Sequence, residues 1–392
     1  MRIFVLASWY PSEADPLRGI FVEEQVLALR RHHQVVVLAP MPRSWRRTVA
    51  AGGRAAITIE QRRGIDVVRV PAGSPLPGSW RIRQAAYVRA AGRAFREAVE
   101  RYGKPDLVHA HVVLPGGDAA VRVAAAAGVP VVLTEHSNPF AMHLIDGAHR
   151  RRAAGALAGA DAVIAVGPVL REQMFAFRPQ TNIAIVGNVI DTDFFTSAPR
   201  PPQLALPEFR LLSVGLLTPS KGMHNVIDAF ALAISRAPRP MLLTIAGDGP
   251  ERQALELQAK AKGIEESVRF AGSLDRDGVR DALRTSDGFV LASDTESFGV
   301  VVAEAMACSC PVIATRSGGP DWLIPPGGGQ LVPVGEPSML ADAIASLASG
   351  IFRPDLEAAR RSIVERFGPE AVIDQLEAVY RSVVVNRSRS SP

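Results

Sequence analysis
Two carboxylates eight residues apart, Glu296 and Glu304, have the types and spacing most suited to chemistry in this chain. They lie in SDTESFGVVVAEAMACSCPVIATRSGGP, residues 293–320. A strand is expected to end at Leu291, a loop to carry Asp294, Glu296, Phe298 and Gly299, and a helix to start near Val300 with Glu304 on its first turn. A helix that begins after a glycine presents free backbone N–H groups and the positive end of its dipole, which together suit a phosphate. Each carboxylate accepts two hydrogen bonds, so one acid on the loop and one on the helix suit the vicinal hydroxyls of a polyhydroxylated ligand. The same two residues read equally well as a helix-dipole partner (Glu304) and a solvated loop acid (Glu296).

Smaller signals narrow the field. Lys221, in GLLTPSKG, falls outside G-x-x-x-x-G-K-[ST], and no G-x-G-x-x-G follows the first apolar run, so neither a triphosphatase loop nor a dinucleotide fingerprint is present. His109, His111 and His136 sit at strand ends without a nearby carboxylate triplet and read as hydrogen-bonding residues rather than metal ligands. Cys308 and Cys310 lack a second pair at zinc spacing and read as buried thiols.

The elements that must position these residues follow from hydrophobic period. Short apolar runs alternate with helix-period segments through the chain, the pattern of parallel sheets with crossover helices. Strands are expected at Arg2–Ala7, Gln34–Leu38, Val67–Val70, Leu107–Ala110, Val131–Thr134, Ala162–Val166 and Ile183–Val186, with helices such as Gly19–Arg31 and Ile82–Tyr102 between them. FTSAPRPPQLALP, Phe195–Pro207, carries four prolines and no period, and reads as a linker. Alternation then restarts with strands at Arg210–Val214, Leu242–Ala246, Val268–Ala271, Gly288–Leu291, Pro311–Ala314 and Gln330–Val332. The fold class is therefore α/β, two doubly wound Rossmann-like domains whose facing strand ends would form a cleft. The expected boundaries are 1–195, a linker at 196–208, a second domain at 209–368, and a helix and frayed tail at 369–392 that returns toward the first domain.

Length and composition agree with this organisation. A chain of 392 residues exceeds what one hydrophobic core usually supports, and 47% hydrophobic content excludes a disordered chain. Two cysteines exclude a disulfide framework and point to a reducing cytoplasm. MRIFVLASWYP reads as a first buried strand rather than a signal peptide, and no apolar run reaches membrane-helix length. The net charge of +5 is unevenly placed, with 24 basic and 14 acidic residues in 1–190 against 20 and 25 in 191–392. The arginine-rich first half, with Trp45 and Trp80 beside its charges, suits phosphates or an anionic membrane surface, while the acidic second half argues against nucleic acid.

Residues 293–314 resemble the signature of the family-4 retaining glycosyltransferases of the GT-B fold, E-G-F-G-x-x-x-x-E-A-M-A-C-G-x-P-V-I-A-T. The chain supplies Glu296, Phe298, Gly299, Glu304, Ala305, Met306, Ala307, Cys308, Pro311, Val312 and Ile313, with Ser297 and Ser309 at two usual glycines. Gly215–Gly222 resembles the G-R-L-x-x-x-K-G loop, with Lys221 matching and Leu216 where arginine is usual. Ala246–Pro250 (AGDGP), Asn188–Phe195 (NVIDTDFF), Gly318 with Gly319, Pro16–Leu29, Pro105–His111 (PDLVHAH) and Thr134–Ser137 (TEHS) resemble further family segments in the same order.

That resemblance implies a transferase that moves a hexose-type sugar from a UDP- or GDP-sugar to a sugar, glycolipid or lipid-linked acceptor in cell-surface assembly. It implies no cofactor and no metal, a cytoplasmic enzyme that also works at the inner membrane face, and front-face substitution with the departing phosphate helping to deprotonate the acceptor. Lys221, Glu296 and His136 would be catalytic. Gly19, Gly215, Lys221, Gly247, Asp248, Phe298, Gly299, Val300 and Glu304 would bind the donor, with His111 and His136 at the acceptor. A nucleotide-sugar epimerase or hydrolase of the same fold, or a non-catalytic binding protein, are the alternatives.

Overall fold
The computed structural model describes residues 1–44, 46, 48, 56–74, 79–137, 140, 146–198 and 208–390. They divide into two compact units, Met1–Val189 with Val372–Pro392, and Ile190–Ala371.

The first unit is built on eight strands: β1 (Arg2–Ala7), β2 (Gln34–Arg43), β3 (Thr58–Arg62), β4 (Ile65–Gly73), β5 (Leu107–His111), β6 (Val131–Glu135), β7 (Ala162–Ala165) and β8 (Ile183–Ile185). Their order is β3-β4-β2-β1-β5-β6-β7-β8, parallel except for the antiparallel edge pair β3–β4. Strand β3 lies outside the expected set because its TIEQR sequence has no apolar run. Edge strands need only one buried side, and none of its residues is fully buried.

Period-2 alternation along β1 feeds two layers, as a sheet covered on both faces requires. Ile3, Val5 and Ala7 join one core with Val22, Val26 and Leu29 of α1 (Ile20–Leu29). On the other face Phe4 meets Phe95 of α2 (Trp80–Tyr102) edge-on at 5.8 Å. Helices α3 (Asp118–Ala127), α4 (Gly147–Gly159) and α5 (Pro168–Phe177) complete the crossovers, α4 being one that periodicity missed.

The second unit has six parallel strands, β9 (Phe209–Val214), β10 (Met241–Ala246), β11 (Val268–Gly272), β12 (Gly288–Leu291), β13 (Val312–Thr315) and β14 (Gln330–Val332). Their order is β11-β10-β9-β12-β13-β14. Its crossover helices are α6 (Met223–Ile234), α7 (Arg252–Ala261), α8 (Arg276–Thr285), α9 (Val300–Ala307), α10 (Gly319–Leu323) and α11 (Pro337–Ala348), followed by α12 (Leu356–Phe367).

Residues 190–195 pack with the second unit: Ile190 N–H bonds to Phe367 O at 2.8 Å, and the Arg276 guanidinium holds Asp191 at 2.8 Å. Residues 199–207 of the proline-rich segment lie outside the described residues. Helices α12 and α13 (Pro369–Ser390) part at Gly368, where the last helix was expected to begin. Proline cannot donate into the preceding turn, so it starts a new helix. Val372, Ile373, Leu376, Tyr380 and Val383 of α13 are buried in the same core as Ile3 and Val26.

Candidate active site
In both sheets the strand order reverses at one place, between β1 and β5 and between β9 and β12. Loops leaving the carboxyl ends of strands on either side of such a reversal splay apart and leave a crevice for ligand.

In the second unit the two loops at the reversal carry the signature residues. The loop after β9 runs Gly215–Thr218 and closes in a tight turn, Pro219–Lys221. Gly222 then turns into α6 with φ 63°, its α-carbon so close to the end of β12 that a Cβ would lie 2.0 Å from Ala292 O. Only glycine fits both conditions. The loop after β12 carries Ser293–Gly299. Lys221 Nζ donates to Glu296 Oε1 at 2.6 Å, and Ser293 Oγ donates to the same oxygen at 2.8 Å. The lysine side chain is 29% exposed and the glutamate 12%, so the pair is partly desolvated yet open at the lysine.

Backbone bonds hold this corner. Glu296 N–H bonds to Ser317 O at 2.8 Å and Gly319 N–H to Glu296 O at 3.0 Å, which is the service performed by the paired glycines. Gly215 N–H bonds to Ala246 O and Leu217 N–H to Asp248 O, both at 3.0 Å, so Gly247 and exposed Asp248 brace the Lys221 loop from the β10 side. Gly299 caps α9 in a left-handed conformation, and Val300 opens the helix half-exposed, leaving its first N–H groups for an anion. Leu216, where arginine was expected, is 65% exposed.

Two expected roles are corrected here. Phe298, expected at the donor, is 1% exposed and packs edge-on against Phe367 at 5.1 Å and Trp322 at 6.0 Å, so its side chain anchors the loop to the core. Glu304 is the fifth residue of α9, past its first turn, so the helix-dipole role weakens there. Ser293 was not singled out in the sequence, where a lone serine before an acid carries no signal.

In the first unit, Gly19 follows β1 with φ 77°, and a Cβ there would lie 2.3 Å from Trp9 O. The close approach this glycine permits is to the chain's own backbone. His109 and His111, both 0% exposed, end β5, and His136 follows β6. His109 Nδ1 meets Tyr380 OH at 2.7 Å and its Nε2 meets Thr134 Oγ1 at 2.8 Å. His111 Nδ1 meets His136 Nε2 at 2.9 Å, and the His136 ring lies against Phe21 with centroids 4.5 Å apart.

Burial pushes His109 and His136 down to about 3 and His111 well below its ordinary value, with repulsion from neighbouring rings adding to it for His111 and His136. All three are therefore neutral near pH 7, each with one N–H. The His111–His136 bond consumes one N–H and one lone pair. One further N–H and one further lone pair remain, on His111 Nε2 and His136 Nδ1, which find no bonded partner among the described residues. His111, expected at the acceptor, is fully enclosed in this structure and its ring bonds to His136. Glu135, not singled out before, holds the corner by accepting from the N–H groups of Val113, His136 and Ser137, each at 2.7 Å.

Beside this corner the first unit has a cavity of about 500 Å3, walled by Trp80, Tyr87, Val112, Leu114, Ser137 and His149. Trp45, Arg47 and Arg54 of the basic face lie outside the described residues. Among the described residues no helix is long and apolar enough to cross a membrane, and no group of three or more His, Cys, Asp or Glu residues is placed to hold a metal ion. Cys308 and Cys310 are both buried and in no disulfide among the described residues.

Two family models match the chain, "Glycosyltransferase Family 4" over residues 19–194 and "Glycosyl transferases group 1" over residues 196–360. The chain is 30% identical over 290 residues to N-acetyl-alpha-D-glucosaminyl L-malate synthase of Bacillus anthracis, covering 71% of this chain and 75% of that protein. Among solved structures it is similar to sucrose-phosphate synthase from Thermosynechococcus elongatus, with TM-score 0.77 and 22% identity over 98% of this chain and 100% of that one. It is also similar to HepE of Anabaena in complex with UDP and glucose, with TM-score 0.72 and 21% identity over 97% and 100%.

Proposed function
This chain belongs to the family-4 glycosyltransferases of the GT-B fold, and from that premise we propose that it transfers a hexose-type sugar, with retention, from a nucleotide-diphosphate sugar to an acceptor hydroxyl. The observation that carries the reading is the Lys221–Glu296 pair at the β9/β12 reversal, beside the open start of α9. A diphosphate arriving there exchanges one anionic partner of Lys221 for another, releasing Glu296 toward sugar hydroxyls. Glu304 takes the ribose, and the N–H groups at Gly299 and Val300 share the phosphate charge.

The C1–O bond to the diphosphate breaks and its electron pair leaves with the phosphate. The acceptor oxygen bonds C1 on the same face, and its proton passes to the departing phosphate oxygen. Protein groups then contribute charge stabilisation and position, and no divalent metal is required.

A UDP-sugar is the favoured donor, since the similar HepE structure holds UDP and glucose, with GDP-sugars the second class to test. The acceptor, a sugar, glycolipid or lipid-linked intermediate of surface polysaccharide assembly, enters the first unit's cavity beside His136. Buried thiols in no disulfide and the basic first half suit a cytoplasmic enzyme working at an anionic membrane surface. The test is a thermal-shift screen of UDP- and GDP-sugars, followed by transfer to candidate acceptors and NMR of the product anomer. An inverted product overturns the retaining mechanism, and consumption of donor without acceptor transfer makes the chain a hydrolase or epimerase.

A further inference from the structure
Trp80 has a second cavity on its other side. Whereas the first cavity is largely apolar, this groove of about 470 Å3 in the same unit is lined by Arg81, Arg122, Arg151 and Arg152, with Asp118 among them. The wall between the two is fixed. The Trp80 indole N–H donates to Asp146 Oδ2 at 3.0 Å and the ring stacks on His149 at 3.6 Å. The guanidinium carbons of Arg81 and Arg152 lie 6.0 Å from the ring centroid.

The charges are arranged, not merely accumulated. Buried Asp118 accepts from Arg122 Nε at 2.9 Å and Arg152 Nη1 at 2.7 Å, and is itself held by Gln84 at 2.8 Å. One carboxylate thereby orients two guanidinia while neutralising only one. Arg81 and Arg151 are exposed and meet no carboxylate at ion-pair distance among the described residues. The lining therefore keeps a surplus of positive charge on planar guanidinium donors, the groups that recognise phosphoryl oxygens by paired N–H bonds.

We propose that this groove binds a phosphoryl or diphosphate group carried by the acceptor, while the acceptor's remaining body occupies the apolar cavity across Trp80. The inference rests on the acceptor reading of that cavity. It narrows the acceptor class to phosphate-bearing molecules, soluble or lipid-borne.

Inorganic pyrophosphate is titrated by calorimetry into the full chain carrying Lys221→Ala, so that the second unit's site is silenced, and into the same chain with Arg81→Ala and Arg151→Ala added. A binding event in the first that weakens at least tenfold in the second, with unchanged unfolding midpoints, is expected. Equal affinity in both, or no binding event in either, overturns the proposal. If the wild-type chain and Lys221→Ala titrate alike while the arginine changes still weaken binding, the donor reading fails and the groove stands. Sedimentation with phosphatidylcholine vesicles with and without phosphatidic acid separates the sources. Arginine-dependent pelleting with phosphatidic acid assigns the phosphate to a lipid, and pyrophosphate binding without pelleting assigns it to a soluble acceptor. Salt must weaken either event, because exposed charges are screened.

Discussion

Lys221 and Glu296 are 75 residues apart in the chain and 2.6 Å apart in space, the ammonium donating to a carboxylate oxygen that also accepts from Ser293. The pair holds the lysine in place, because a partly buried lysine without a counter-charge would turn toward water.

Lys221→Ala and Glu304→Gln are each expected to lower turnover at least tenfold, about 1.4 kcal/mol of transition-state stabilisation, with folding intact. Steady-state kinetics with the correct donor and thermal melts check both. Near-wild-type transfer by either variant removes that residue from the donor site.

EDTA is expected to leave the rate unchanged, since Lys221 and the α9 N-terminus are proposed to meet the diphosphate charge. Loss of activity that Mg or Mn restores would contradict the metal-free mechanism.

The three histidines predict an acid-sensitive fold. Their folded pKa values lie below the unfolded value of about 6.5, near 3 for His109 and His136. Between those values the unfolded chain binds protons that the native chain refuses. The stability they lend is complete above about pH 6.5 and is lost as pH falls toward 3, at up to about 1.4 kcal/mol per pH unit for each ring. His109→Asn is expected to flatten the fall of the urea midpoint between neutral and acid pH. An unchanged slope would show that His109 does not set it.

Tyr380→Phe removes only the hydroxyl that faces His109 Nδ1 at 2.7 Å. The ring nitrogen is left buried without a partner, at an expected cost of about 1–3 kcal/mol in urea unfolding. A variant as stable as the parent would mean that this contact adds nothing to the docking of α13.

Gly222 and Gly263 both have positive φ, 63° and 67°, but a Cβ at Gly263 meets nothing within 4 Å, whereas at Gly222 it meets Ala292 O at 2.0 Å. Gly263→Ala is expected to cost on the order of 1 kcal/mol, from backbone strain alone. Gly222→Ala is expected to cost more and also to displace Lys221, lowering turnover. Equal effects of the two changes on stability and rate would refute the close-approach account.

Local order was legible from residue types alone. Apolar runs alternating with helix-period segments announce a double-wound α/β chain, because buried parallel strands must be apolar on both faces. The motif order places Glu296, Lys221 and the glycine turns on particular loops and Glu304 on the helix that follows, since glycine and proline punctuate the backbone by steric rules that act locally. Partners across long separations were not legible. Periodicity says that Tyr380 has a buried face but not that His109, 271 residues away, lies beneath it. The spacing that marks Phe298 as part of a signature does not reveal that Phe367 and Trp322 enclose it. That His111 bonds to His136, and that Trp80 divides a largely apolar cavity from an arginine groove, depend on which strand ends the sheet order brings side by side. Which strands become neighbours is settled by burial of the whole core, a sum over contacts that no local window of sequence contains.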